Sequence, residues 1–212
     1  MNFKSNLKEL LVFELQSFVG RNFFRKRPIL FNEKNYLNLG CGHNLIDGFV
    51  NADFFYKVWN KKIPKRQWML DLRYNLECED ETFDGVYSEH TFEHLTYLTV
   101  DNLLKELHRT VKKGGIIRIT VPDCDKFVKY YNGDYQNNNF SGAFDSKCLA
   151  MHHLTQASGH MSIWCFEEMK SALEKAGFTQ VKEMSFQKSQ DNMLMHDIQE
   201  REWETVYVEA KK

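Results

Sequence analysis

From residue 35 onward, short apolar and β-branched runs alternate with amphipathic helical stretches. That alternation restricts the chain to an α/β fold with a largely parallel sheet. The expected strands are 36–39, 49–54, 67–72, 83–88, 115–121, 181–186 and 205–210. The clearest helix is 99–113. Val100, Leu103, Leu104, Leu107 and Val111 share one face there, Thr99 stands at the start, and Lys112, Lys113 and Gly114 close the end. A second helix, 166–176, turns Phe166, Met169, Leu173 and Ala176 inward and stops before Gly177. Residues 123–163 are polar and show little periodicity, so a long loop, an insertion or lid over a site, is expected there. In parallel sheets ligands bind beyond the carboxyl ends of the strands. The loops after the first five strands are therefore where chemistry is expected.

Residues 1–31 read as a basic amphipathic arm, and 32–212 as the domain proper. Leu7, Leu10, Leu11, Leu15 and Phe18 recur at helical spacing, and six basic residues stand against two acidic ones. Packing on the domain is the favoured reading of the arm; contact with an anionic membrane surface is the other. The whole chain has a formal net charge of −1, which argues against a general nucleic-acid footprint. Five scattered cysteines without a CxxC pair suit reduced thiols in the cytoplasm. No run reaches the ~20 apolar residues of a membrane span, and no secretory signal is expected.

The first expected strand runs into Gly40-Cys41-Gly42, and Asp53 ends the next. Glycines allow a tight turn and close approach of a ligand to backbone, and an acid at that strand end can accept ribose hydroxyls. Asp53 follows Gly40 by 13 residues, against about 20 in dinucleotide sites, and no third glycine is present. An adenosine ligand without a pyrophosphate fits better than NAD, which argues against an oxidoreductase. Asp71 and Leu72 end the third strand and could meet an adenine ring.

These pieces, in this order, resemble a family. LNLGCG (37–42) with Asp53, DL (71–72), FDGVYSEHTFEHL (83–95), LLKELHRTVKKGG (103–115), RITVPD (118–123) and FEEMKSALEKAGF (166–178) are together similar to class I S-adenosylmethionine-dependent methyltransferases, in the small-molecule branch that contains the type 11 enzymes. The resemblance implies a Rossmann-like, seven-stranded, mostly parallel sheet with helices on both faces and an antiparallel last strand. It implies S-adenosylmethionine as cofactor, with contacts from Gly40, Cys41, Gly42, Asp53, Asp71 and Leu72. It also puts Ser88, Glu89 and His90 near the sulfonium and its carboxylate. The implied activity is methyl transfer to a small molecule or glycan, with a hydroxyl oxygen as first choice. A non-catalytic cofactor-binding partner subunit is the alternative from another class.

His90-Thr91-Phe92-Glu93-His94 also matches the H-x-x-E-H signature of zinc peptidases. That motif needs both histidines on one helical face, and Val86-Tyr87 just before it read as strand, so no metal is assigned. His152, His153 and His160 form a second group without a carboxylate or thiolate at a familiar spacing. His160 resembles a histidine that family relatives carry ahead of the late helix. As a general base for a hydroxyl acceptor, His160 ranks first because its reference pKa lies near neutrality; Asp123, after the fifth strand, ranks second.

Overall fold

The computed structural model describes residues 3–24, 27–31, 33–54, 68–134 and 138–212. Seven strands form one sheet: β1 (Tyr36–Leu39), β2 (Phe49–Asp53), β3 (Trp68–Met69), β4 (Phe83–Glu89), β5 (Val111–Pro122), β6 (Thr179–Met184) and β7 (Thr205–Lys211). Their order is β3-β2-β1-β4-β5-β7-β6. β1 to β5 pair in parallel, and β7 runs antiparallel to both β5 and β6. The strand order reverses between β1 and β4, and a crevice opens where such a reversal occurs.

Every residue of β1 is buried, as a central strand requires. Helices α2 (Tyr97–Thr110) and α6 (Phe166–Lys175) cover one face of the sheet. Val100, Leu103, Leu104 and Leu107 of α2 and Met169 and Leu173 of α6 join Leu37, Leu39, Val86, Ile117 and Val208 in one core. Burying such a side chain contributes roughly 1.5–3 kcal/mol each. The cap of α2 is Thr96 rather than Thr99: its Oγ1 accepts the Thr99 amide at 3.3 Å. The chain passes from α2 straight into β5, so 111–113 are strand, not helix.

The opposite face holds a buried ion cluster. Arg118 of β5 points there, as period-two alternation in IIRIT dictates. Its guanidinium donates to Asp197 at 2.9 and 2.6 Å, to Glu209 at 2.9 Å, and to the Lys188 and Ser185 carbonyls at 2.8 and 3.1 Å. All three charged side chains are 0% exposed. The cluster clamps the 185–198 segment onto the sheet.

Residues 123–163 differ from the expected loop. They carry α3 (Cys124–Asn132), α4 (Asn138–Ala143) and α5 (Lys147–Gln156). Asp123 caps α3 and Ser146 caps α5. The three are short, and an isolated helix of that length is marginal in water. Tertiary contact supplies the difference: Phe127, Phe140, Ala150 and Leu154 form a satellite core, packed against by Phe144 and Trp203.

Helix α1 (Phe3–Val19) lies against the β3 side of the sheet. Ser17 is buried and donates to Asp71 at 2.6 Å, and Glu14 pairs with Arg73. Leu10, Leu11, Leu15 and Phe18 remain exposed. No helix among the described residues is long and apolar enough to cross a membrane.

Burial alone would raise the Asp71 pKa, but hydrogen bonds from Arg73 and Ser17 outweigh it and hold the carboxyl below its ordinary value. A depressed carboxylate contributes stability that is present above its unfolded pKa, about 3.9, and is lost as pH falls through its folded value. Asp71→Asn is therefore expected to show a shallower loss of thermal stability than the wild type between about pH 5 and pH 2. Identical slopes would mean that Asp71 does not couple docking of α1 to protonation.

Candidate active site

The end of β1 and the start of the next turn are built on glycine. Gly40 has φ +70°, and a Cβ added there would sit 2.1 Å from Thr91 Oγ1. Gly42 has φ +52°, and a Cβ there would meet nothing within 4 Å, so this position faces open space. The amides of Gly40 and Cys41 both donate to the Ala52 carbonyl, at 2.8 and 3.0 Å, which ties the turn to β2. Asp53 completes it. One carboxylate oxygen accepts the Gly42 amide at 2.7 Å and the other the Phe54 amide at 2.6 Å.

Beside this turn is a cavity of about 310 Å³, lined by Asn38, residues 40–44, Tyr87, Glu89, His90, Ile198 and Arg201. That volume falls within the ~300–1,000 Å³ of small-molecule sites, and it opens at the strand reversal. A larger cavity of about 450 Å³ lies over β6 and β7, away from that reversal. Burial pushes the Glu89 carboxyl up, although Oε1 accepts the Ile198 amide at 2.9 Å. His90 holds a left-handed φ of 46°, uncommon for a side-chain-bearing residue and often found at functional sites. Its amide donates to the Thr120 carbonyl at 2.9 Å and its Nε2 meets Thr205 Oγ1 at 2.8 Å. Burial, with Arg201 and nearby histidines, keeps His90 well below its ordinary pKa and hence neutral.

The other expected site residues lie apart from this cavity. Ser88 is fully buried, and its hydroxyl donates back to the Leu39 carbonyl at 3.0 Å. Asp71 is occupied by Ser17 and Arg73, and Leu72 packs against the core. Asp123 accepts the Asp125 amide at 3.0 Å as a helix cap, and burial raises its pKa. His160 stands behind His90, with its ring centroid 5.0 Å from that of His94.

Glu93 joins this second layer. It lies in a 3-10 turn, Phe92–His94, and its side chain is 2% exposed. Among the described residues neither carboxylate oxygen has a hydrogen-bond partner. Burial pushes its pKa up to about 8. The Glu93 carbonyl accepts the amides of Met161 and Ser162 at 2.7 and 3.1 Å, drawing the His160 loop onto the turn. Sequence spacing offered Glu93 and His94 only as part of H-x-x-E-H. β4 runs to Glu89, so His90 follows a strand, and the two-histidine helical face of that motif is not formed. Arg201 and Ile198 carried no sequence signal, since a segment far along the chain brings them to the cavity.

A crevice at the strand reversal, walled by a glycine turn that Asp53 braces from the end of β2, is the place where α/β folds of this topology bind their ligands. Comparison with known proteins narrows this. A family model described as a methyltransferase domain matches residues 13–183. Among solved structures the chain is similar to a SAM-dependent methyltransferase from Archaeoglobus fulgidus, at 16% identity over 100% of both chains with a TM-score of 0.52. It is likewise similar to a SAM-dependent methyltransferase from Thermotoga maritima, at 17% identity over 99% of this chain and 96% of that one, with a TM-score of 0.53. No curated protein sequence matches it. The chain belongs to the methyltransferase-domain family, a class of enzymes that take their methyl group from S-adenosylmethionine.

Proposed function

We propose that the enzyme methylates a hydroxyl oxygen of a small-molecule or glycan acceptor, with S-adenosylmethionine bound across the β1–β4 crevice. The observation that carries this reading is the open cavity beside Gly42, with Asp53 fixed at the same turn. Bound S-adenosylmethionine supplies an electrophilic methyl group on a sulfonium. The backbone of Gly40, Cys41 and Gly42 would hold its amino-acid portion, Asp53 its ribose, and Leu72 its adenine end, with Asp71, held by Ser17 and Arg73, supporting that loop. Glu89 and His90 would form the wall nearest the methyl group, with Ser88 buried behind them. Displacement at a methyl carbon needs little covalent help, so the residues act chiefly by alignment.

A hydroxyl acceptor must also lose a proton. His160 is the base in this reading, with Asp123 as second candidate. The His160 Nδ1 lies 2.9 Å from the Leu154 carbonyl, so Nδ1 carries the hydrogen and Nε2 is left to accept one. His160→Ala is expected to lower turnover by about 10²–10⁴-fold while S-adenosylhomocysteine binding stays intact. Transfer of labelled methyl across a panel of sugar and small-molecule hydroxyls tests this; undiminished turnover would remove His160 from the reaction.

A glycan acceptor places the enzyme in surface-polysaccharide biosynthesis, in the reducing cytoplasm that five free thiols suit. The exposed Leu10, Leu11, Leu15 and Phe18 of α1 support peripheral contact with a membrane that carries such an acceptor.

A further inference from the structure

We propose that Glu93, His94 and His160 hold a divalent metal ion of the zinc type, one layer behind the wall of the cofactor crevice. One ligand atom from each residue lies within 4.8 Å of the others. Tetrahedral zinc, with bonds of about 2.0–2.2 Å, needs ligand atoms about 3.3 Å apart. The remaining closure is within reach of side-chain rotation, because His94 and His160 are only partly buried.

The orphaned carboxylate is the independent observation. A buried carboxyl group with no hydrogen-bond partner is uncommon whatever its charge, and among the described residues neither Glu93 oxygen has one. Two imidazole nitrogens stand near it, His90 Nδ1 at 3.5 Å and His94 Nε2 at 3.9 Å from Oε1.

The outer contacts match what metal ligands require. A ligating histidine donates its other ring N–H to a carbonyl or carboxylate, which fixes its tautomer. His160 does this through Nδ1 to the Leu154 carbonyl at 2.9 Å. The donor set of two imidazoles and one carboxylate suits zinc and related transition ions, whereas magnesium and calcium favour oxygen ligands. Three protein ligands leave a fourth position open to water or to an acceptor oxygen. The histidine group that lacked a carboxylate in sequence acquires one from a turn some 67 residues earlier, 160 against 93.

The inference rests on the methyltransferase reading and changes one role in it: with metal bound His160 is a ligand, and the proton of a hydroxyl acceptor falls to Asp123, the second candidate base. The test strips the full chain with a chelator and titrates it with Zn²⁺, and with Co²⁺ as an optical probe. One tightly held Zn²⁺ per chain is expected, along with Co²⁺ visible bands of a low-coordinate site. Glu93→Gln and His160→Ala should each weaken Zn²⁺ binding at least about tenfold. His152→Ala, at an exposed neighbouring histidine, should leave it unchanged. Failure to bind Zn²⁺, or binding that falls with His152→Ala and not with Glu93→Gln, overturns the proposal. S-adenosylhomocysteine binding is measured in parallel. Retained nucleoside binding without metal binding sinks this inference alone, and lost nucleoside binding by the wild type sinks the reading beneath it.

Discussion

Arg118→Met is expected to destabilise the protein by about 3–5 kcal/mol, the usual consequence of removing one partner from a buried ion pair. All five guanidinium hydrogens matter here. They satisfy Asp197 twice, Glu209 once, and the carbonyls of Lys188 and Ser185. Methionine fills most of the volume but leaves two carboxylates that are 0% exposed without their counter-charge. Desolvation works against Arg118 too, yet its hydrogen bonds and attraction to Asp197 and Glu209 prevail and keep it protonated. Urea denaturation reads the effect as a lower midpoint. Arg118→Lys should recover only part of it, since a single ammonium cannot reproduce the planar fork. A triple variant with apolar residues at 118, 197 and 209 should regain much of the loss, because no charge is then left buried. A midpoint unchanged in Arg118→Met would show that the cluster does not hold the 185–198 segment to the sheet.

The loss would reach the candidate site as well. The segment clamped by Arg118 ends at Ile198, whose amide binds Glu89, and leads on to Arg201, which lines the cavity. Weakening the clamp is therefore expected to loosen one wall of the crevice.

Much of this architecture was legible residue by residue. YLNL ending in glycine, FDGVYS and GIIRITV are strands because apolar, β-branched runs bounded by turn residues leave few alternatives, and α2 follows from one apolar face. What remained hidden depends on contacts between distant segments. The helices between 123 and 163 are short, α5 has no apolar stripe of its own, and they owe their stability to Phe127, Phe140 and Trp203 meeting in space. Arg118 is a lone charge in the apolar run GIIRITV, and the fold of 185–198 over it makes it interior. Asp71 is engaged by Ser17, 54 residues earlier. The glycine turn and Asp53 were readable because both sit at strand ends close in sequence. The meeting of His160 with Glu93 and His94 was not, because it rests on a loop pairing with a 3-10 turn.

Calorimetric titration with S-adenosylhomocysteine measures whether Asp53 and the glycine turn form a nucleoside-binding crevice. Asp53 ends β2 beside the glycine turn, and its two carboxylate oxygens are oriented by the amides of Gly42 and Phe54. Hydrogen bonds to a charged group are worth about 1.5–3 kcal/mol, or roughly ten- to a hundredfold in affinity. The wild type is predicted to bind one S-adenosylhomocysteine per chain. Asp53→Ala should weaken that binding about ten- to a hundredfold, and Asp53→Asn, which keeps one acceptor oxygen, should weaken it less. Absence of binding by the wild type, or equal affinity in Asp53→Ala, would contradict the account.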